Sequence, residues 1–369
     1  MISFFTNLAN KYAYINFHAE QSFRELSVLN FTNDVSVEMI SLGVFCSELK
    51  NSAIVDIYER AEKIISNCNN SGIDTLIIDL NRIKQIQINQ NDEIHNLIMA
   101  ITSKNIDIII INCKFELVSR FNGLNKACEL DNDDKMIIGF SNESQEKVKG
   151  KIKNIKNEGT SQVISKICAE AFNEAIDICC STNTNEEIDS SQVYTTKYIN
   201  IKECIEKVEY FPFIVYRLAL SLLESGLISS NANKNNQTSI FCHTLNGSYI
   251  GSILAYLLGI DILFYDHIGP KNKLYNTYLG NRIDKNKSYL IVTDVICLGS
   301  ELRSVRTLLE YEGAKFIGTA SIVNILTTSS SRNKNDICSV VEINKDNNPF
   351  LYYIYTDLER KREVDHIGE

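Results

Sequence analysis

The chain has 369 residues, of which 44% are hydrophobic and 22% charged, and a formal net charge of −9. This composition is typical of a globular protein with about two ordinary domains and excludes a disordered chain. The excess of acids argues against a broad surface for nucleic acid or anionic lipid, because both favour Lys and Arg. We therefore expect neither a nucleic-acid partner nor a membrane partner.

The 11 cysteines include no Cys-x-x-Cys pair, and the five histidines do not cluster with them. We expect buried, reduced thiols and no metal site built from protein ligands. The N-terminus lacks the basic start and apolar core of a signal peptide. The most apolar long stretch, Phe211 to Ile228, contains Arg217 and Glu224, which argues against a membrane span. The sequence predicts a cytoplasmic protein, and its Asn, Ile and Lys content without Trp suggests a bacterial one.

A polar segment, Ser181 to Gln192, separates two blocks that alternate strands and helices. It predicts domains at 1–180 and 193–369 with a linker at 181–192. Apolar runs and helical spacing predict an α/β layer in the first block. Its predicted strands are Val35 to Phe45, Asp74 to Leu80, Ile106 to Ile111 and Lys135 to Phe140. Its predicted helices are Ala53 to Cys68, Asp92 to Ser103, Phe115 to Cys128 and Val163 to Cys179.

The order of these elements resembles the STAS domain of anti-sigma-factor antagonists and sulfate-transporter tails, from about Val35 to Asn125. That family carries a Ser-containing turn after the second apolar strand, where phosphorylation can occur. Here the region Ile86 to Asn91 reads IQINQN, without Ser or Thr. The resemblance therefore implies a STAS-like domain without the usual phosphorylation switch. A plain α/β domain that serves dimerisation or docking stays an alternative.

The second block predicts another α/β domain. Its predicted helices are Phe211 to Glu224, Tyr249 to Leu258 and Leu302 to Glu312. Its predicted strands are Ser239 to His243, Asp261 to Tyr265, Tyr289 to Asp294 and Phe316 to Val323. A turn at Thr244 to Ser248 follows the first strand, and a polar, basic loop runs from Gly269 to Ser288.

A strand that ends in an acid, a Gly-containing turn and a helix form an arrangement that can bind phosphate. The turn exposes backbone amides, and the amino end of a helix favours an anion. An Asp at the carboxyl end of a strand lies where open α/β sheets bind ligands, and it can hold ribose hydroxyls or a hydrated metal. Asp294 is that residue here, with Gly299 in the turn.

The run Tyr289 to Leu302 (YLIVTDVICLGSEL), followed by Leu308 to Gly318, resembles the phosphoribosyl-pyrophosphate loop of type I phosphoribosyltransferases, most closely the orotate branch. The resemblance extends over about Phe211 to Ile325. It implies a parallel sheet flanked by helices, a pyrophosphate-binding turn at Thr244 to Ser248 and a mobile catalytic loop at Gly269 to Ser288. It also implies Mg²⁺ if the protein is active, and a possible homodimer.

By the same resemblance, Asp294 holds ribose hydroxyls, and Lys271 or Lys273 neutralises the leaving pyrophosphate. Nearby Arg282, Lys285 and Lys287 add to the basic loop, which could equally be a solvated hairpin. The implied substrate-binding residues are Leu245, Asn246, Gly247, Ser248, Thr293, Asp294, Cys297, Leu298, Gly299, Ser300 and Glu301. His243, just before the turn, is predicted to be a hydrogen-bonded structural residue.

Two residues depart from the family pattern. Thr293 replaces the first of two acids, and Glu301 stands where a family Thr would face the 5′-phosphate. A carboxylate a few ångströms from a phosphate costs several kcal/mol at an effective dielectric constant near ~20. Either Glu301 points away, or a cation intervenes, or no phosphate binds in the usual way.

Three functions remain open on the sequence. The first is a regulator or sensor that binds a phosphoribosyl or nucleotide ligand with weak or no transferase activity and signals to a protein partner through the N-terminal domain. The second is an active phosphoribosyltransferase that moves ribose 5-phosphate between pyrophosphate and a nucleobase. The third is an interaction component of a bacterial defence or stress system.

Overall fold

The computed structural model describes residues 2–7, 11–18, 48–50, 53–59, 73–86, 91–181, 193–195, 198–207, 211–229, 237–265, 282–297, 299–326, 336–344 and 354–356. The chain divides into two compact units, Met1–Ala171 and Phe172–Glu369. The predicted linker at 181–192 lies outside the described residues except for Ser181, so the predicted domain boundary stays a prediction.

The first unit is built on a six-stranded mixed sheet with the order β1-β2-β4-β6-β8-β7. The strands β2, β4 and β6 run parallel at its centre, whereas β1, β7 and β8 continue it by antiparallel pairing. The sheet strands are β1 (Ile2–Asn7), β2 (Tyr12–Phe17), β4 (Thr75–Asp79), β6 (Asp107–Cys113), β7 (Ala127–Leu130) and β8 (Met136–Phe140). Two shorter strands, β3 (Glu48–Leu49) and β5 (Gln85–Ile86), pair separately.

Helices α1 (residues 53–59), α2 (Asn91–Thr102), α3 (Gln145–Glu158) and α4 (Thr160–Ile178) accompany this sheet. The central strands β4 and β6 are buried along their whole length, as their continuous apolar runs predict. Helix α3 begins at the cap residue Ser144, whose hydroxyl accepts a hydrogen bond from the Lys147 amide. The division between the two units falls within α4.

Most of the predicted elements of the first block are confirmed, and one is wrong. Residues 115–128 do not form a helix: a 3-10 helix covers Phe115–Phe121, and β7 follows. The helix ends because Gly123 adopts φ +88° and turns the chain, after which β7 pairs with β8. The predicted strand Val35 to Phe45 and the second half of the predicted helix Ala53 to Cys68 lie outside the described residues.

His18 follows β2 and is 1% exposed. Burial lowers its pKa from the ordinary value to about 3. In the unfolded chain His18 binds a proton near pH 6.5, whereas in the folded chain it does so only near pH 3. The free energy of unfolding is therefore unaffected by His18 above pH 6.5 and falls as the pH decreases from 6.5 towards 3. We expect the free energy of unfolding to fall by up to about 1.4 kcal/mol per pH unit across this window. Urea unfolding followed by circular dichroism at pH 7, 6 and 5 measures it. His18→Phe should flatten the slope, and an unchanged slope would contradict the assignment.

The second unit is built on a parallel sheet of five strands with the order β13-β12-β14-β15-β16. Its strands are β12 (Thr238–Cys242), β13 (Asp261–Phe264), β14 (Ser288–Ile296), β15 (Lys315–Leu326) and β16 (Ile337–Asn344). Four short strands form two separate pairs, β9 (Cys180–Ser181) with β11 (Tyr198–Ile199) and β10 (Val193–Thr195) with β17 (Ile354–Thr356). The expected α/β architecture with parallel strands is confirmed.

Helices cover both faces of this sheet. A short helix, α5 (Ile201–Lys207), precedes α6 (Phe211–Glu224). Most side chains of α6 are buried, and the helix packs against α7 (Leu245–Leu258). Helix α7 lies on the face that carries Ile240 and Cys242, which its Gly251 approaches closely. Helix α8 (Ser300–Tyr311) buries Val305 on the opposite face, in one apolar cluster with Phe241.

The predicted central strand and the helices beside it are confirmed, with two corrections. Strand β14 lies between β12 and β15, but it continues to Ile296, so Asp294 precedes the strand end by two residues. The predicted turn Thr244 to Ser248 is the start of α7, because the Thr244 hydroxyl caps the helix. Among the described helices, none combines the length and the apolar character that crossing a bilayer requires.

Candidate functional site

The strand order of the second unit creates a switch point between β12 and β14. The chain leaves β12 for β13 on one side and then returns to β14 on the other side. Helices α7 and α8 therefore begin at the carboxyl ends of adjacent parallel strands and lie on opposite faces. A crevice opens at such a point, and open α/β sheets bind ligands there. The predicted substrate-binding residues lie at the end of β14 or directly after these two strands.

The first turn of α7 lies very close to β14. Thr244 Oγ1 accepts a hydrogen bond of 3.0 Å from the Gly247 amide, which caps the helix. A Cβ atom on Gly247 would lie 2.6 Å from the Val292 carbonyl oxygen and 2.7 Å from Thr244 Oγ1. Only glycine fits here without displacement, so Gly247 sets the distance between helix and strand. Ser248 donates its hydroxyl to the Thr244 carbonyl at 2.8 Å, within the helix.

Asn246 and Asp294 join the two elements. Asn246 Nδ2 donates to Asp294 Oδ2 at 2.7 Å, and the buried Thr293 hydroxyl donates to Asp294 Oδ1 at 3.3 Å. Asp294 is itself only partly buried. Each carboxylate oxygen has two lone pairs, so both oxygens can still accept hydroxyl protons from a ligand. The neighbours thus orient a carboxylate that remains accessible at the switch point. Leu245, one residue before Asn246, exposes 71% of its surface.

The start of α8 provides amides without a side-chain cap. Gly299 occupies the cap position with φ +67° and, as a glycine, provides no side-chain cap for the first turn. Ser300 is exposed as the first helical residue. Burial, together with Asp294, raises the pKa of the Cys297 thiol to about 11, so Cys297 is not a thiolate nucleophile at neutral pH. An uncapped amino end of a helix is a favourable position for an anion.

A carboxylate of the chain itself lies at this helix end. Glu301 Oε1 is 3.2 Å from Nε2 of His243, whose side chain is 1% exposed. Neither ring nitrogen of His243 makes a hydrogen bond of acceptable geometry to a described residue, so this approach is a close polar contact and not an aligned hydrogen bond. His243 lowers the pKa of the Glu301 carboxyl against the opposing effect of partial burial. Glu301 is therefore held in its charged form.

Buried hydroxyl groups continue this polar region across the sheet. His243 directly follows β12, and Cys242 pairs with Val292, which places His243 beside Thr293. Thr293 pairs in turn with Ser321 of β15, and both are buried. Neighbours in register share one face of a sheet, so the three polar side chains line the carboxyl edge on the face of α8.

The remaining predicted residues are placed as follows. Lys271, Lys273 and Leu298 lie outside the described residues. In the described end of the basic loop, Arg282 Nη1 donates to the Phe264 carbonyl at 3.3 Å, and Lys287 pairs with Asp261. Within the described part of the chain, no group of three or more His, Cys, Asp or Glu side chains could hold a metal ion.

The sequence interpretation did not foresee the contact between His243 and Glu301. It predicted a structural histidine with hydrogen bonds, whereas the structure directs its imidazole towards Glu301. The two residues are 58 positions apart, and no local pattern connects them. The available signal was that each follows a different central strand of a parallel sheet, where carboxyl ends meet.

Comparison with protein-family models and with curated proteins found no match for this chain. Among solved structures, adenine phosphoribosyltransferase from Thermoanaerobacter pseudethanolicus is similar at 15% identity, covering 46% of this chain and 99% of that one, with a TM-score of 0.33. Orotate phosphoribosyltransferase from Aeropyrum pernix is similar at 12% identity, covering 47% and 92%, with a TM-score of 0.33. Adenine phosphoribosyltransferase from Leishmania donovani is similar at 14% identity, covering 48% of this chain and 80% of that one, with a TM-score of 0.32. Part of this chain is thus similar to solved phosphoribosyltransferases at low identity.

Proposed function

We propose that the second unit binds a phosphoribosyl or nucleotide ligand at the β12–β14 switch point and acts as a regulator or sensor with weak or no transferase activity. The single observation that carries the proposal is the Asp294 carboxylate, which Asn246 orients at 2.7 Å in the strand that leads to the start of α8. A carboxylate suits the hydroxyls of a ribose, and free helix amides suit a phosphate. Both groups lie where parallel sheets bind such ligands.

The same residues argue for binding over turnover. In this proposal, residues 293–301 are an altered phosphoribosyl-pyrophosphate loop. Thr293 contributes a hydroxyl to Asp294 where a second carboxylate would add charge. Glu301 adds a negative charge at the helix end, where transfer chemistry would need charge neutralised. The site keeps groups that recognise a ligand and lacks part of what would stabilise a leaving pyrophosphate.

An active phosphoribosyltransferase is the second candidate, and the ordered Asp294 favours it. The reaction depends on positioning and on charge neutralisation more than on covalent chemistry from the protein. Mg²⁺ is usually held by one or two carboxylates together with substrate phosphates. Asp294 could supply one such carboxylate, so the metal would arrive with the ligand. Lys271 or Lys273 would then provide the loop cation.

The proposal gives the first unit the role of a docking module, by its sequence resemblance to STAS domains. The parallel core of its mixed sheet and the helices that accompany it suit an α/β module of that kind. Residues 87–90, within the region that corresponds to the family's phosphorylated turn, lie outside the described residues. Without a Ser or Thr at 86–91, the unit would transmit the state of the second unit and not a phosphorylation event.

Calorimetry with phosphoribosyl pyrophosphate and Mg²⁺ tests the proposal on wild type and on Asp294→Asn. We expect binding by the wild type and an affinity roughly tenfold or more lower in the variant, since hydrogen bonds to a charged group contribute about 1.5–3 kcal/mol. Asp261→Asn is the matched control, because Asp261 begins β13 at the opposite edge of the same sheet. It should bind as the wild type does.

A pyrophosphate-release assay over a panel of nucleobases separates the candidates. Binding without release supports the regulator, and release that depends on Asp294 supports the transferase. Equal affinity of wild type and Asp294→Asn would remove Asp294 from the site. An absence of binding would reject the ligand and favour an interaction component of a bacterial defence or stress system.

A further inference from the structure

The start of α8 carries a carboxylate of the chain itself. Gly299 leaves the first-turn amides without a side-chain cap, and Glu301 is the acidic residue of that turn. Negative charge is stabilised at this end of a helix. The carboxylate of Glu301 is therefore placed in the field where a phosphate group of a ligand would bind.

His243 is an independent indication that an anion belongs at this position. Its side chain is 1% exposed, and its Nε2 approaches the Glu301 carboxylate to 3.2 Å. Its nitrogens have no aligned hydrogen-bond partner in the described part of the chain. A buried polar side chain without an aligned hydrogen-bond partner costs free energy. An anionic ligand that accepted a hydrogen bond from the His243 imidazole would remove this cost. Buried hydroxyls of Thr293 and Ser321 continue the polar edge beside it.

Glu301 can leave this position at low cost. Its side chain is 61% exposed, so another rotamer would place the carboxylate in water. His243, in contrast, is fixed beneath it by burial. An incoming phosphate could then take the helix amides and the His243 contact while Glu301 turns outward. With Glu301 in place, the two anions would repel each other at a distance of a few ångströms.

We infer that Glu301, in contact with His243, is the specificity-determining residue of this site, because its carboxylate occupies the phosphate position and opposes a phosphorylated ligand until it is displaced or a cation neutralises it. The inference rests on the proposed function and adds the ligand feature that the site discriminates, which is the charge of the phosphate group. We therefore expect the wild-type protein to bind phosphorylated ligands weakly, because Glu301 opposes them. A ligand must either exchange with Glu301 or bring a cation.

The test compares three single-charge variants by calorimetry with phosphoribosyl pyrophosphate and Mg²⁺, and again with ribose 5-phosphate alone. Glu301→Gln keeps the shape of the side chain and removes its charge, so we expect the affinity for both probes to rise about tenfold or more. Glu310→Gln is the matched control, since it removes the same charge from the last turn of α8, where Glu310 pairs with Arg306 at 2.8 Å. It should change the affinity little. Asp294→Asn should lower it.

The outcomes separate this inference from the function on which it rests. If Glu301→Gln and wild type bind equally while Asp294→Asn binds more weakly, the function stands and the role of Glu301 is rejected. A rise that Glu310→Gln reproduces would reject it too, because net charge alone would explain the change. Failure of every variant to bind either probe would overturn the function and the inference together. Thermal unfolding of each variant establishes that the folded protein is compared.

Discussion

Gly247→Ala should destabilise the second unit by about 1–3 kcal/mol, the usual cost of forcing an extra methyl group into a packed position. The new Cβ would lie 2.6 Å from the Val292 carbonyl oxygen and 2.7 Å from Thr244 Oγ1. The first of these is backbone of a central strand and cannot move aside cheaply. Helix α7 would have to shift away from β14, which lengthens the Asn246–Asp294 hydrogen bond of 2.7 Å. We therefore expect ligand affinity to fall with stability.

The matched control is the same substitution in an exposed helix. Gly150 lies inside α3 with no atom near the position of an added Cβ. Gly150→Ala should stabilise the protein by roughly 0.5–1 kcal/mol, because alanine loses less backbone entropy in a helix. Urea unfolding monitored by circular dichroism measures both variants. A Gly247→Ala variant as stable as the wild type would show that α7 does not depend on this close approach.

The architecture of the second unit could be predicted because its signals are local. Residues 289–292 form a short apolar run that is typical of a buried strand, and Asp294 follows it near the carboxyl edge. The Gly299 turn and the helix behind it are equally local. The exact start of α7 could not be predicted, because Thr244 is a residue type that favours both turns and helix caps. In the structure its hydroxyl caps the helix.

The partners of the site residues could not be predicted, because they come from distant parts of the chain. Nothing at position 243 indicates Glu301, and nothing at position 246 indicates Asp294. These contacts depend on the strand order, in which β14 lies beside β12 and not beside β13, the strand that precedes it in the chain. The false helix at 115–128 has a similar origin. Its second half pairs with a strand further along the chain, and that tertiary pairing overrides helical spacing.

Asp79→Ala should cost the first unit about 3–5 kcal/mol of stability. Asp79 ends β4 and is 1% exposed. Its carboxylate accepts four hydrogen bonds: from Tyr14 Oη at 2.6 Å, Asn16 Nδ2 at 3.0 Å, Asn112 Nδ2 at 2.7 Å and the Asn81 amide at 2.9 Å. Alanine would leave these buried donors without their acceptor. Burial and the Asp79 charge also raise the pKa of Tyr14 well above its ordinary value, which keeps that donor protonated.

The measurement is urea unfolding of Asp79→Ala beside Asp133→Ala, which removes an exposed carboxylate from the same unit and should change stability by less than about 0.5 kcal/mol. Equal losses in the two variants would show that the buried hydrogen bonds contribute little. Asp79 and Asp294 look alike in sequence, since each follows an apolar run, but their surroundings differ. Four donors surround Asp79 in a buried position, whereas Asp294 accepts two hydrogen bonds and stays partly exposed. Substitution of Asp79 should therefore lower the free energy of unfolding, whereas substitution of Asp294 should lower the affinity for the ligand.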